Sequence, residues 1–223
     1  MKRKSALVLS TALLLGGCSW FDGFFEAMFT PAKRAEASGF TTVTDYPGLT
    51  SKSVAIVIHA PRATIDEYPG TREELTNFIT TNMQEHMPTA KLLDPRRRDV
   101  INFQDDTLNW TSLSARDIGK HFSVDKVLMI EVLDYSTKRL PGYSDMQGRL
   151  RAQVHITDCS PEGSNTPEWG GIVDVKWPPD RALNPVQTNE IAVRQRLLEA
   201  FADRLVRCFY TPGADSNLPT IPG

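Results

Sequence analysis

The sequence predicts an α+β fold: a mixed sheet of about five strands covered by helices, in the order β-α-β-α-α-β-β-β-α. Three observations predict it. Residues 54–59 form a continuous β-branched run suited to a strand covered on both faces. Residues 126–135 and 149–158 are two long β segments separated by a turn region, the pattern of an antiparallel hairpin. Apolar stripes at helical spacing run through residues 71–88 and 188–209.

The elements follow in order. After the first strand comes a Pro- and Gly-rich loop ending at Pro69-Gly70. Thr71-Arg72-Glu73-Glu74 then has capping-box spacing, and Leu75, Phe78, Ile79 and Met83 make a stripe that stops near Pro88. Residues 91–94 read as a short strand, 97–103 as a helix, and 112–122 as a second helix with Leu113, Ile118 and Phe122 facing inward. The hairpin is built around Pro141-Gly142, and in its second arm Leu150, Ala152, Val154 and Ile156 alternate with polar residues. Residues 170–177 make a fifth strand, stopped by Pro178-Pro179. The last helix carries Ile191, Leu197, Leu198, Phe201, Leu205 and Cys208 on one line, and residues 211–223 read as a disordered tail. A single α+β domain over 53–210 accommodates all of this; a division into two domains is not required.

The strand Val54-Ala55-Ile56-Val57-Ile58, the helix Asp117-Ile118-Gly119-Lys120-His121-Phe122 and the strand that follows Val124-Asp125 carry a resemblance. Together with the element order they resemble a group of envelope lipoproteins that includes the penicillin-binding-protein activator LpoB, the curli secretion lipoprotein CsgG and the amino-terminal domain of TolB. In that group a helix ending before Gly-Val-Asp leads into a central strand; Ser123-Val124-Asp125 is similar, with serine in place of glycine. The resemblance spans residues 53–208. It implies a small α+β domain that binds other envelope proteins and has no active site, and it transfers no functional residue to this chain.

The amino terminus points to an address. Lys2, Arg3 and Lys4 precede an apolar run over 6–15 that is too short to span a bilayer, followed by Leu15-Gly16-Gly17-Cys18. This resembles the lipobox of bacterial lipoproteins, which implies a signal peptide over 1–17 and a diacylglyceryl group on the Cys18 thiol. The alternatives are an ordinary cleaved signal peptide with a free cysteine nearby, or an uncleaved anchor. Two or three acyl chains hold a protein stably on a membrane where one holds it reversibly. Ser19, rather than Asp, after the cysteine favours the outer over the inner membrane under the enterobacterial rule, with the body facing the periplasm.

Beyond Cys18, Trp20, Phe21, Phe24, Phe25, Met28 and Phe29 occupy one half of a helix, with Asp22 and Glu26 on the other. Such a segment over 18–30 is expected to lie in the membrane interface; the alternatives are that it packs on the globular domain or a partner, or acts as unstructured tether. Residues 31–52 read as a linker.

Removing residues 1–17 leaves 22 basic against 27 acidic side chains, a net charge of −5, which argues against a nucleic-acid partner. Cys159 and Cys208 are an even pair in an oxidising compartment. They form either one disulfide, worth on the order of 4 kcal/mol for a loop of about fifty residues, or two separate buried thiols. His59, His86, His121 and His155 stand at no ligand spacing, and no activated-serine elbow, phosphate loop or dinucleotide fingerprint is present, so no metal, cofactor or catalytic residue is expected. His59 and His155 lie on strands that could bring them together. Glu73-Glu74 and Asp105-Asp106 read as solvated helix faces, although carboxylates from distant segments remain open as an alternative. Arg96-Arg97-Arg98 reads as a solvated helix start, with an acidic partner as the other choice. Trp110, Tyr143, Trp169 and Trp177 fall in or beside loops, where aromatics serve either as binding anchors or as core.

The expected function is a non-enzymatic, membrane-anchored envelope lipoprotein that docks another protein. A homo-oligomeric structural or secretion lipoprotein, and an unrecognised envelope hydrolase, are the alternatives.

Overall fold

The computed structural model describes residues 45–137, 146–179 and 189–210. The signal segment, Cys18, the aromatic segment, Pro141-Gly142, Tyr143 and the tail lie outside them.

The elements are β1 (Ser53–His59), α1 (Arg62–Glu67), α2 (Thr71–His86), β2 (Lys91–Leu92), a 3-10 turn (Pro95–Arg97), α3 (Asp99–Asp106), a second 3-10 turn (Trp110–Ser112), α4 (Ala115–Phe122), β3 (Lys126–Ser136), β4 (Gly148–Asp158), β5 (Trp169–Trp177) and α5 (Glu190–Val206). They build the mixed five-stranded sheet, ordered β2-β1-β3-β4-β5. β1 is parallel to β2 and β3, and β3, β4 and β5 are antiparallel.

Alternation on the central strands sorts the core into two clusters. Val54, Ile56 and Ile58 of β1 join Leu128, Ile130, Val154 and Ile156 under α2 and α5, which contribute Leu75, Ile79, Met83, Leu197, Leu198 and Phe201. Ala55 and Val57 point the other way, to Ile118 of α4 and to Val127, Val124 and Cys159. Within the sheet, that second cluster draws on Ala55 and Val57 of β1 and Val127 of β3. Because β1 is buried on both faces, it reads in sequence as an unbroken apolar run.

Two side chains tie the sheet together at its polar points. Asp125 Oδ2 accepts from the Ser53 N–H and hydroxyl, each at 2.8 Å, while the Asp125 N–H donates to Ser53 Oγ at 2.8 Å. Gln104, buried in α3, donates from Nε2 to the Ile58 carbonyl at 2.9 Å, occupying a backbone acceptor on the β1 edge that no strand pairs.

Several local expectations are corrected. The Pro- and Gly-rich loop contains the short helix α1. Thr71 does not cap α2: Gly70 takes the N-cap position at φ 83°, and the Thr71 hydroxyl donates to the Tyr68 carbonyl at 2.6 Å. The helix expected from residue 112 starts at Ala115, because Ser114 is the residue whose hydroxyl accepts from the Asp117 N–H. Leu113 is therefore outside the helix and exposed. Ile191 is 67% exposed; it extends the Leu198 line one heptad back, past the part of α5 that packs. Leu133 is the extra residue of a β-bulge, where the pairing steps from Val132 and Ala152 to Asp134 and Arg151.

Cys159 and Cys208 are free and buried. Cys159 belongs to the α4 cluster and Cys208 to the α2/α5 cluster, so the sheet separates them and the disulfide expectation gives way to its alternative. Within the stretch read as linker, Leu49 is fully buried and the Tyr46 N–H donates to the Cys208 carbonyl at 2.6 Å.

Candidate functional site

A cleft of about 380 Å³ opens at the carboxyl end of β1, walled by α1, the first turn of α2, the last turn of α3 and the second 3-10 turn. Its position follows from the chain. β1 ends at His59, and the Gln104 bond to Ile58 fixes α3 against that end, which places Asp105 at the rim. Asn109 adopts φ 59° and its carbonyl accepts from the Ser112 N–H and hydroxyl, turning the chain so that Trp110 lies against His59. The two rings meet edge to face, 5.6 Å between centroids at 85°.

The charges in the cleft are paired. Arg72 Nη2 lies 2.7 Å from Asp105 Oδ1, and Arg62 Nε lies 3.7 Å from Asp66 Oδ2. His59 Nδ1 is 4.0 Å from Glu131 Oε1, its register partner on β3. Burial, and then the nearby Arg72 guanidinium, lower the His59 pKa, and burial raises that of Glu131. His59 is therefore neutral at pH 7 and makes no ion pair with Glu131. Ile58, Ala60 and Ile65 supply the apolar part of the lining, and Thr111 adds a hydroxyl. A second void of about 20 Å³, beside Thr80 and Ile101, has room for little more than one water.

A polar cluster stands at the other end of the sheet. Lys126 Nζ lies 2.8 Å from Glu168 Oε2 and 3.3 Å from Asp158 Oδ2, and the Tyr46 hydroxyl donates to Glu168 at 2.5 Å. Tyr46, Trp169 and Phe209 pack beside it, tilted and then edge to face, with centroids 5.9 and 5.2 Å apart along the series. This cluster holds the incoming chain to the body.

The remaining singled-out residues have structural places. His155 lies opposite Gly170 on β5, where burial lowers its pKa to about 4; β3 runs between it and His59, so the two do not meet. His86 stacks on Tyr210, and His121 packs on Phe103. Glu73 pairs with Arg98 at 2.9 Å, Glu74 with Arg194 at 3.0 Å, and Arg97 with Asp99 at 3.5 Å. Trp169 is buried and Trp177 packs against the larger core cluster. Sequence reasoning named His59, Asp105 and Trp110 separately and missed Arg62, Asp66 and Arg72 as their neighbours. Their convergence depends on where β1 ends relative to α3, which no local pattern encodes. Among the described residues, no group of three or more His, Cys, Asp or Glu is placed to hold a metal ion, and no helix is long and apolar enough to cross a membrane.

No protein-family model matches the sequence, and no curated protein does. Solved structures with a similar arrangement include the lipoprotein GNA1162 from Neisseria meningitidis, at 14% identity and a TM-score of 0.44, covering 70% of this chain and 98% of that one. The PelC dodecamer from Paraburkholderia phytofirmans is similar at 13% identity and a TM-score of 0.44, with 73% and 93% covered. The LpoB C-terminal domain from Salmonella enterica is similar at 12% identity and a TM-score of 0.35, with 57% and 85% covered.

Proposed function

We propose that this chain is a non-enzymatic accessory lipoprotein of the bacterial cell envelope, anchored through acyl chains on Cys18 and docking another envelope protein through its α+β body. The observation that carries the reading is the order of features at the amino terminus: three basic residues, a short apolar run, and Leu15-Gly16-Gly17 immediately before Cys18. A net charge of −5 after removal of residues 1–17 leaves attachment to lipid and to the aromatic residues Trp20 to Phe29 rather than to a basic patch.

The arrangement of the body supports a tethered binding role. Tyr46 enters the fold beside Glu168 and Lys126, at the start of β3, whereas the His59 cleft lies at the far end of the parallel strand β1, about 20 Å away at the usual rise per residue. The root of the tether and the cleft thus occupy opposite ends of the sheet. Tethering on a shared surface raises the effective concentration of a partner, so a weak docking contact suffices.

The test is expression of the full chain and of Cys18→Ser, with fractionation and crosslinking in intact cells. The account expects the parent in the outer-membrane fraction, joined to a second protein species, and the variant released from the membrane with that crosslink lost. Crosslinks only between copies of this chain would establish the homo-oligomeric alternative instead.

A further inference from the structure

The cleft at the end of β1 has a chemical character that selects among ligands. An anion entering it meets the Asp66 and Asp105 carboxylates; a cation meets the Arg62 and Arg72 guanidiniums. Each arginine stands beside its own carboxylate, at 3.7 and 2.7 Å, so the cleft lining carries no excess of either sign. Hydrogen-bonding capacity nevertheless remains. The Asp66 and Asp105 side chains are 65% and 52% exposed, and a carboxylate has more acceptor sites than one guanidinium contact fills. Beside these groups stand the half-buried Trp110 ring and the apolar surfaces of Ala60 and Ile65.

We infer that this cleft is a binding site for a neutral polyhydroxylated ring, a saccharide unit, seated against Trp110 with its hydroxyls on the Arg72–Asp105 and Arg62–Asp66 pairs. A sugar ring has an apolar C–H face and an edge of vicinal hydroxyls, each both donor and acceptor. The first suits an indole and the second a guanidinium–carboxylate pair, which presents donors and acceptors side by side. The volume of about 380 Å³ falls within the range of small-molecule sites. A purely apolar ligand would strip water from the remaining acceptor sites of these carboxylates and offer no hydrogen bond in its place, which is costly. The site is independent of the lipid anchor.

The experiment is saturation-transfer NMR on the full chain in mild detergent, with N-acetylglucosamine and glucose as separate probes. Trp110→Ala and Asp105→Asn are compared with the parent, and thermal melts check that each variant is folded. The inference expects transfer to the ring protons of at least one sugar, with affinity lowered tenfold or more in both variants and no competition from inorganic phosphate. If Trp110→Ala fails to fold, Asp105→Asn decides alone. Absence of transfer to both sugars overturns the inference. So does transfer that a folded variant leaves undiminished, or displacement of the sugar by phosphate.

Discussion

Lys126 and Glu168 meet at 2.8 Å where the lysine side chain is 8% exposed, and Asp158 closes the group at 3.3 Å. Lysine is rarely buried without such partners. Burial pushes the Lys126 pKa down, but Glu168 and Asp158 more than offset it, so the ammonium remains charged. Burial likewise pushes the Asp158 carboxyl up; the Ser160 N–H and hydroxyl and the Lys126 ammonium outweigh that and hold it at about 2, below its ordinary 3.8.

A depressed carboxylate pKa contributes stability that is present above the unfolded-state value and is lost as pH falls through the folded-state one. The contribution of Asp158 is therefore complete above pH 4 and disappears between 3.8 and about 2. Denaturant melts across that window are expected to show a steeper loss of stability in the parent than in Asp158→Asn. Lys126→Met is expected to cost about 1–3 kcal/mol at pH 7, less than for a fully enclosed pair because both carboxylates keep contact with water.

Ser123 ends α4 in the left-handed region, at φ 53° and ψ 46°, with its N–H directed to the Gly119 and Lys120 carbonyls. A residue with a Cβ is strained there and glycine is not. Ser123→Gly is expected to raise stability by about 0.5–1 kcal/mol, despite the greater freedom glycine gives the unfolded chain. Equilibrium urea unfolding measures it.

Gly119 faces the opposite demand. It sits mid-helix, where alanine ordinarily gains about 1 kcal/mol, yet a Cβ there would overlap Cys159 Sγ and lie 2.6 Å from Cys159 Cβ. Overpacking costs about 1–3 kcal/mol and decides the sign, so Gly119→Ala should lower the melting temperature. Adding Cys159→Gly should recover part of the loss. A double-mutant cycle reads that coupling.

Leu49 is fully buried and belongs to the same cluster as Val54 and Phe201. Leu49→Ala is expected to cost about 2–5 kcal/mol, and a chain begun at residue 53 should be less stable than one begun at 45. Urea titration of the parent, the variant and the two shortened chains checks both.

The fold was legible where a local pattern has a single cause. The β1 run required burial on both faces, the alternation in β4 required one, and both were found. What escaped depended on distance. The docking of Tyr46 was illegible because it is made with Glu168 and Cys208, more than a hundred positions away, and isolated apolar residues such as Leu49 among Pro and Gly form no period. The Cys159 and Cys208 pairing was undecidable because sequence does not say on which face of the sheet each thiol lies. The cleft was half visible: His59 and Trp110 stood out by type, but Asp105 read as solvated helix surface and Arg72 as part of a capping-box run, and their pairing depends on how α2 and α3 sit side by side.

The account rests most heavily on Cys18, and mass spectrometry of the amino-terminal peptide from the native membrane-extracted protein tests it directly. The predicted result is a chain beginning at Cys18 and carrying diacylglyceryl mass on the sulfur. An unacylated amino terminus, on protein recovered in the soluble fraction, would contradict it.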